Sequence, residues 1–469
     1  VRRPGPAVGR RLTLTSSVVG AVIVALDGTV LTVAQPTLRR DFGASLVRVQ
    51  WTSTGYLIAV ASLLVFAGRL GDRYGHRRVF AVGSLGFGVT SAGIGLAPGI
   101  DWVIGLRVAQ GVFGALLQPA TLGMLRAVYP PDRIGRPIAL RTSAIGLAAA
   151  TGPVLGGALV GPFGWRAVFF LNVVPALVLG GSAFAVREPA RSPAPPARLD
   201  LPGACLLAVA LACLVRTLVG VPGTGWTAGS TAGLVVAVVA AAVFVRHERR
   251  TANPLLPPGV LGSATVGAAL GILVAASAAM SGAVFAGSCL LQEVLGLDPL
   301  ETGLRALPAA VAMVLGAPVA ALLMRRFGAR RTTPAALCVL ATGVLLLSRT
   351  GRESTAVSLG TGFLLLGAGF AAVMVTATTV VVRHVRAESA GVAGGLQQTA
   401  MNVGPTLGVA AAAVLMPLSG DVRTGPALTF LAAVAVAAMP LTLWLPGREG
   451  RRPAGRPAPR RSRELRTGR

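Results

Sequence analysis

Gly68-Arg69-Leu70-Gly71-Asp72-Arg73-Tyr74-Gly75-His76-Arg77-Arg78 is a short basic turn with a single acid, set between two long apolar runs. Each flanking run has about 20 residues with almost no charge, the length a helix needs to cross the hydrocarbon core of a bilayer. A tight charged loop between two such runs is a membrane hairpin, and its excess of arginine says which side it faces.

Composition extends that reading to the rest of the chain. Of 469 residues, 53% are hydrophobic and 13% are charged, whereas soluble domains carry about 25% charged residues. The net charge of +27 raises the possibility of a nucleic-acid binder. The arginines, however, fall between apolar runs and in the tails rather than on one amphipathic face, so no nucleic-acid partner is expected. All 43 basic residues are arginine, which with the abundance of Ala, Gly, Val and Pro looks like GC-rich coding bias. Cys205, Cys213, Cys289 and Cys338 lie inside apolar runs without metal-ligand spacing, and His76, His247 and His384 lie in basic loops. Neither set indicates a metal site. The first apolar run is too long for a cleaved leader and is expected to be a span.

Apolar runs bounded by charge, Pro or Gly give fourteen candidate spans, at 14–35, 49–68, 79–97, 102–125, 137–160, 167–186, 201–219, 229–245, 264–291, 302–324, 334–348, 355–382, 390–416 and 427–445. With both termini inside, the tails and inner loops hold 32 arginines and the outer loops and helix ends hold nine. That split obeys the positive-inside rule and predicts a multi-pass protein of the cytoplasmic membrane with both ends in the cytoplasm.

The chain also repeats itself. Leu70-x-x-Arg73-x-Gly75-x-Arg77-Arg78 returns as Leu323-x-x-Arg326-x-Gly328-x-Arg330-Arg331, and Gly152-Pro153-Val154-Leu155-Gly156 returns as Gly404-Pro405-Thr406-Leu407-Gly408, at nearly one offset. Duplicated six-helix units follow. The expected divisions are a tail at 1–13, a six-helix bundle at 14–186, a linker at 187–200, two inserted spans at 201–263, a second six-helix bundle at 264–445 and a basic tail at 446–469. Parallel halves about an axis along the membrane normal are a transporter architecture. Asp72 has Arg325 at its matching position, so the basic frame is duplicated and the acid is not.

These residues resemble the major facilitator superfamily, and within it the fourteen-span drug:proton antiporters of the EmrB/QacA type. Gly68–Arg78 matches the loop motif between helices 2 and 3. Leu26-Asp27-Gly28-Thr29-Val30 with Ala34-Gln35-Pro36 looks like the helix 1 signature, and Arg107-Val108-Ala109-Gln110-Gly111-Val112-Phe113-Gly114-Ala115 looks like that of helix 4. Gly146 with Gly152-Pro153-Val154-Leu155-Gly156-Gly157 is similar to the helix 5 antiporter motif, and Trp165–Pro175 to the run entering helix 6. The resemblance implies an all-α membrane fold of two pseudo-symmetric six-helix bundles plus two extra helices. It further implies proton-coupled export of amphipathic small molecules such as drugs and antibiotics.

The residues themselves say what each motif can do. A carboxylate at mid-span costs about 2.5–3.5 kcal/mol on insertion scales, so Asp27 takes a cavity, a partner or a proton. A protonation site and a helix-packing carboxylate are both open. Arg107 lies well inside helix 4, with Gln110, Gly111, Gly114 and Gln118 on its face. The resemblance implies a part in proton coupling, and a guanidinium tying helices together through carbonyls is the structural alternative. Gly152-Pro153 breaks the helix 5 hydrogen-bond ladder, while Gly146, Gly156 and Gly157 permit close approach. Tyr56 and Phe113, with Gln110, Gln118, Gln397, Gln398 and Asn402, are candidates to line a substrate cavity. No carboxylate lies deep in the second half, so proton chemistry is expected in the first. Gly68, Gly71, Asp72, Arg73, Gly75, Arg77 and Arg78 are read as a cytoplasmic latch, with Asp72 capping a helix or pairing across the halves.

The expected partners are a small-molecule substrate, preferably cationic or neutral, protons and membrane lipids, with the chain acting as a monomer. No cofactor is expected; the proton gradient supplies the energy. Nothing in the sequence carries an enzyme's nucleophile–base pair, metal cluster or phosphate loop. Export of one endogenous metabolite is the alternative task, and proton-coupled uptake a weaker one.

Overall fold

The computed structural model describes residues 6–185, 199–251, 253–256, 260, 262–297, 299–350, 355–386, 389–416 and 424–447. Linker residues 187–198 and the basic tail from 448 onward lie outside them. Within them the chain is helical almost throughout. The helices are α1 (Pro6–Phe42), α2 (Leu46–Tyr74), α3 (His76–Gly95), α4 (Ile100–Val128), α5 (Gly135–Phe163), α6 (Arg166–Ala185), α7 (Leu201–Thr224) and α8 (Ala228–Glu248). They continue as α9 (Ala264–Cys289), α10 (Pro299–Phe327), α11 (Ala329–Ser348), α12 (Ala356–His384), α13 (Ala390–Leu415) and α14 (Gly425–Ala437). A π turn (Leu290–Val294) extends α9, and a 3₁₀ turn (Met439–Trp444) extends α14. α1 begins at Pro6, so part of the expected N-terminal tail is helix.

Each of the fourteen apolar runs has its helix. Among the described residues eleven helices are long and apolar enough to cross a membrane, or twelve if bent α5 is one span. A count of fourteen spans is therefore not confirmed. α3 falls short because it opens on His76-Arg77-Arg78 and is rich in glycine. α13 falls short because Gln397, Gln398 and Asn402 interrupt it. Both helices bury half or more of their residues in the protein, where polar and small residues serve packing rather than lipid contact.

Local chemistry fixes the helix ends. Ser45, Asp200, Ser263 and Thr355 accept the backbone N–H three residues on, and Thr227 with Ser230 closes a capping box on α8. The two copies of the basic motif turn alike. Gly75 between α2 and α3 has φ +107°, and Gly328 between α10 and α11 has φ +80°, a region closed to most side chains.

Packing follows the repeat. α2 lies on α4, α3 on α4 and α6, and α1 on α5; α10 lies on α12, α11 on α12 and α14, and α9 on α13. The halves meet where α2 and α4 pack on α13 and where α5 packs on α10 and α12. Their close approaches lie towards the end carrying Gly68–Arg78, here called the basic end. A methyl group on Gly68 would overlap the Gly391 carbonyl, and one on Gly395 would sit 2.6 Å from the Leu64 carbonyl oxygen. Ser143 of α5 donates to the Val314 carbonyl of α10 at 2.7 Å. At the far end the corresponding helices, α1 and α2 against α9 and α10, make no comparable packing among the described residues. Among the described residues the two halves close on each other at the basic end. α7 lies against both α2 and α13, and α8 packs on α7.

Candidate functional site

Asp27, at mid-length in α1, is 1% exposed, and so is Arg107 of α4. The guanidinium Nη1 donates to Asp27 Oδ2 at 2.6 Å and to Gln110 Oε1 at 2.5 Å, while Nε donates to the Thr52 carbonyl at 2.9 Å. The other carboxylate oxygen accepts from Gln110 Nε2 at 3.2 Å and from Asn172 Nδ2 of α6 at 3.1 Å. Gln110 also donates to the Ser91 hydroxyl of α3 at 2.7 Å. Tyr56 lies over the guanidinium, 4.3 Å from ring centroid to Cζ, and Phe169 at 6.0 Å. One carboxylate and one guanidinium thus tie α1, α2, α4 and α6 together, and Gln110 adds α3.

Sequence places this cluster by glycine as much as by charge. At Gly111 an added Cβ would stand 2.7 Å from the Tyr56 carbonyl oxygen, and at Gly114 3.1 Å from the Tyr56 hydroxyl. Only glycine lets α4 approach α2 closely enough for Arg107 to reach the Thr52 carbonyl. Removing two charges from water costs several kcal/mol per ion, which this geometry offsets through the ion pair and the bonds to Gln110, Asn172 and the Thr52 carbonyl.

The residues expected to line one cavity do not come together. Tyr56 and Gln110 belong to the Asp27–Arg107 cluster. Phe113 lies one turn further along α4, its ring against Gly86 of α3, the helix that Gln110 also reaches through Ser91. Gln118 and Gln398 hydrogen-bond across the halves. Gln397 is fully buried and donates to the Thr378 hydroxyl at 3.3 Å. Asn402 donates to the carbonyl of Gln398 in its own helix at 2.8 Å.

In α5 the helix bends by 43° where Gly135–Gly152 gives way to Val154–Phe163; the Pro153 side chain lies outside the described residues. A Cβ on Gly146 would press on Met313 at 2.9 Å, one on Gly152 would overlap Thr29, and one on Gly156 would touch Val30 and Val33 at 3.2 Å. Gly157 is different. Nothing lies within 4 Å of where its Cβ would be, so it permits no close approach in this state.

At the basic end Asp72 accepts the Gly391 N–H at 2.7 Å and the Val392 N–H at 3.1 Å. It caps the start of α13, a helix of the other half. Gly71, Gly123 and Gly391 make room for the buried His76 ring beside it, 3.4 Å from the carboxylate. Arg73 stacks on Tyr74 at 5.2 Å, and Arg78 is exposed.

Sequence reasoning missed Asn172, Ser91 and the Thr52 carbonyl. Asn172 stands in the quoted run Trp165–Pro175, and a single amide in so apolar a stretch is a usable signal. A backbone carbonyl gives none.

Two six-helix halves about a central seam, with a buried charge pair in one of them, are the construction of a membrane transporter. The chain belongs to the Major Facilitator Superfamily, whose profile matches residues 18–409 and again 268–468. It is 40% identical over 93% of its length to the tetracenomycin C resistance and export protein of Streptomyces glaucescens, covering 84% of that protein. It is 33% identical over 85% of its length to the multidrug resistance protein Stp of Mycobacterium tuberculosis, covering 74% of it. The fold resembles the crystal structure of the human organic anion transporter MFSD10, with TM-score 0.67 and 18% identity over 94% of this chain and 100% of that one.

Proposed function

We propose that the protein is a proton-coupled antiporter that exports amphipathic small molecules across the cytoplasmic membrane by alternating access. It is of the fourteen-span drug:proton type, with both termini in the cytoplasm. The arginine asymmetry supports that orientation, which makes the basic end cytoplasmic and this state outward-facing. The observation that carries the coupling is the buried Asp27–Arg107 pair.

A proton arriving from outside neutralises Asp27, and Arg107 then relies on Gln110 and the Thr52 carbonyl alone. Helices α1, α2, α4 and α6 lose the charge that ties them to one another, which favours the opposite state. There the proton leaves to the cytoplasm as substrate enters. Each ligand lowers affinity for the other, the thermodynamic content of antiport. The Asp72 cap on α13 holds the outward-facing state shut below, and breaking it is part of opening inward.

A second reading keeps the fold and narrows the cargo to one endogenous antibiotic. It is supported by the relative named for tetracenomycin C resistance and export, while the one named for multidrug resistance supports breadth. Proton-gradient dequenching in inside-out vesicles, against a panel of cationic dyes, acids and antibiotics, tests both. Substrate-dependent proton release is expected in wild type and absent in Asp27→Asn. Release at the wild-type rate in that variant would remove Asp27 from the coupling step. Release by one antibiotic alone would favour the dedicated exporter.

A further inference from the structure

Arg141 of α5 is 2% exposed, and its Nε is buried with no hydrogen-bond partner. Among the described residues no carboxylate or carbonyl is bonded to it. The contrast with Arg107 is complete: that guanidinium has a carboxylate, an amide oxygen and a backbone carbonyl. Arginine has five N–H donors and does not shed its proton in a protein. A buried guanidinium without acceptors is a standing cost to the outward-facing state.

Its place in the fold says what meets it. Ile138 and Ile145, at i−3 and i+4, lie on the same face of α5. Ile138 packs with Leu122 and Leu125 of α4 and Val382 of α12, and Ile145 packs on the core of the second half. Arg141 therefore stands at the seam between the halves, behind the apolar plug of Leu122, Leu125, Ile134, Ile138 and Val382. On the cytoplasmic side of that plug, Arg126 ends α4 and Arg383 ends α12, close enough to repel one another. Arg126 Nε is also buried without a partner. Two arginines at the mouth and one behind the plug line the route that opens when the halves part on the cytoplasmic side.

We propose that Arg141 is a specificity-determining residue that binds an anionic oxygen, a carboxylate or phenolate, of molecules entering from the cytoplasm, with Arg126 and Arg383 drawing them in. This rests on the export reading above and replaces the expectation of cationic or neutral substrates with one of acidic substrates. A like-charged route opposes cations and raises the local concentration of anions. The bound oxygen supplies the acceptor Arg141 lacks, so the substrate stabilises the inward-facing state that this charge already favours.

The test compares proton-driven uptake of fluorescein, a carboxylate dye, and of ethidium, a cation, into inside-out vesicles. Wild type is expected to prefer fluorescein. Losing a charge-assisted hydrogen bond should make Arg141→Gln raise the fluorescein KM about tenfold or more relative to that of ethidium, with Arg141→Lys recovering part of the loss. Arg126→Gln, at the mouth, should shift the same ratio in the same direction by a smaller factor, and keeps the test alive if the buried variant fails to insert. Equal loss for both dyes without rescue by lysine would make Arg141 a structural residue and overturn the proposal. Wild-type transport of ethidium but not fluorescein would overturn it while leaving efflux intact. Proton-driven transport of no tested compound would instead sink the export reading itself.

Discussion

Both oxygens of the Asp27 carboxylate are occupied, by Arg107 on one side and by Gln110 and Asn172 on the other. That satisfaction makes the site severe towards truncation. Removing one member of a buried pair leaves an uncompensated charge and costs roughly 3–5 kcal/mol. Arg107→Ala is therefore expected to lose proton-driven transport and to lower the detergent-solubilised melting temperature; unchanged transport across pH would dismiss it from the coupling site. Asp27→Asn keeps an acceptor for Arg107 and loses only the charge, so it is expected to insert normally while uncoupled. Sequence alone marked Asp27 and Arg107 as the anomalous charges of the first half. It could not pair them, because they stand 80 positions apart and only the packing of α1 on α4 brings them into reach.

At the scale of elements, α13 depends on a residue of the other half for its start. Asp72 supplies the acceptor for its first N–H groups, an N-cap worth about 0.5–2 kcal/mol. The glycine pair Gly68 and Gly391 brings the two backbones together there. Asp72→Asn weakens the cap without adding bulk, so substrate binding should persist while turnover slows several-fold; unaltered turnover would leave the loop a topological anchor. The inserted hairpin has its own staple. Asp200 caps α7 through the Gly203 N–H at 2.9 Å and faces His247 Nε2 of α8 at 2.9 Å. Burial pushes the Asp200 carboxyl up, but the Gly203 N–H and His247 outweigh it and hold it below its ordinary value of 3.8. A lowered carboxyl stabilises the fold above the unfolded-state value and loses that contribution as pH falls through the folded one. Acid below about pH 3.8 should thus loosen α7 against α8, read as faster amide exchange at the start of α7. Asp200→Ala should show that exchange already at neutral pH.

For the molecule as a whole, hydropathy, arginine placement and the repeated motifs were enough to lay out the helices in order and in two matching halves. These are one-dimensional signals: span length is set by bilayer thickness, and duplicated turns keep their glycines and arginines. They foresaw even the weakly marked α7 and α8. They could not say which of the seven polar and aromatic cavity candidates meet one another. The fold distributes those residues among a charge cluster, the face towards α3, a bridge between halves, a bond to α12 and a helix-internal bond, because residue type does not say which neighbouring helix a position will meet.

What the sequence by itself determined is the topology: which segments are helices, their order, the twofold repeat and the few charges out of place in an apolar run. What only the tertiary structure decided is partnership. Asp27 meets Arg107 and Asn172, Asp72 caps a helix more than 300 residues away, and Arg141 Nε finds no hydrogen-bond partner among the described residues. The reason is physical. A helix's existence depends on neighbours along the chain, whereas the cost of a buried charge depends on what packing between distant helices puts beside it.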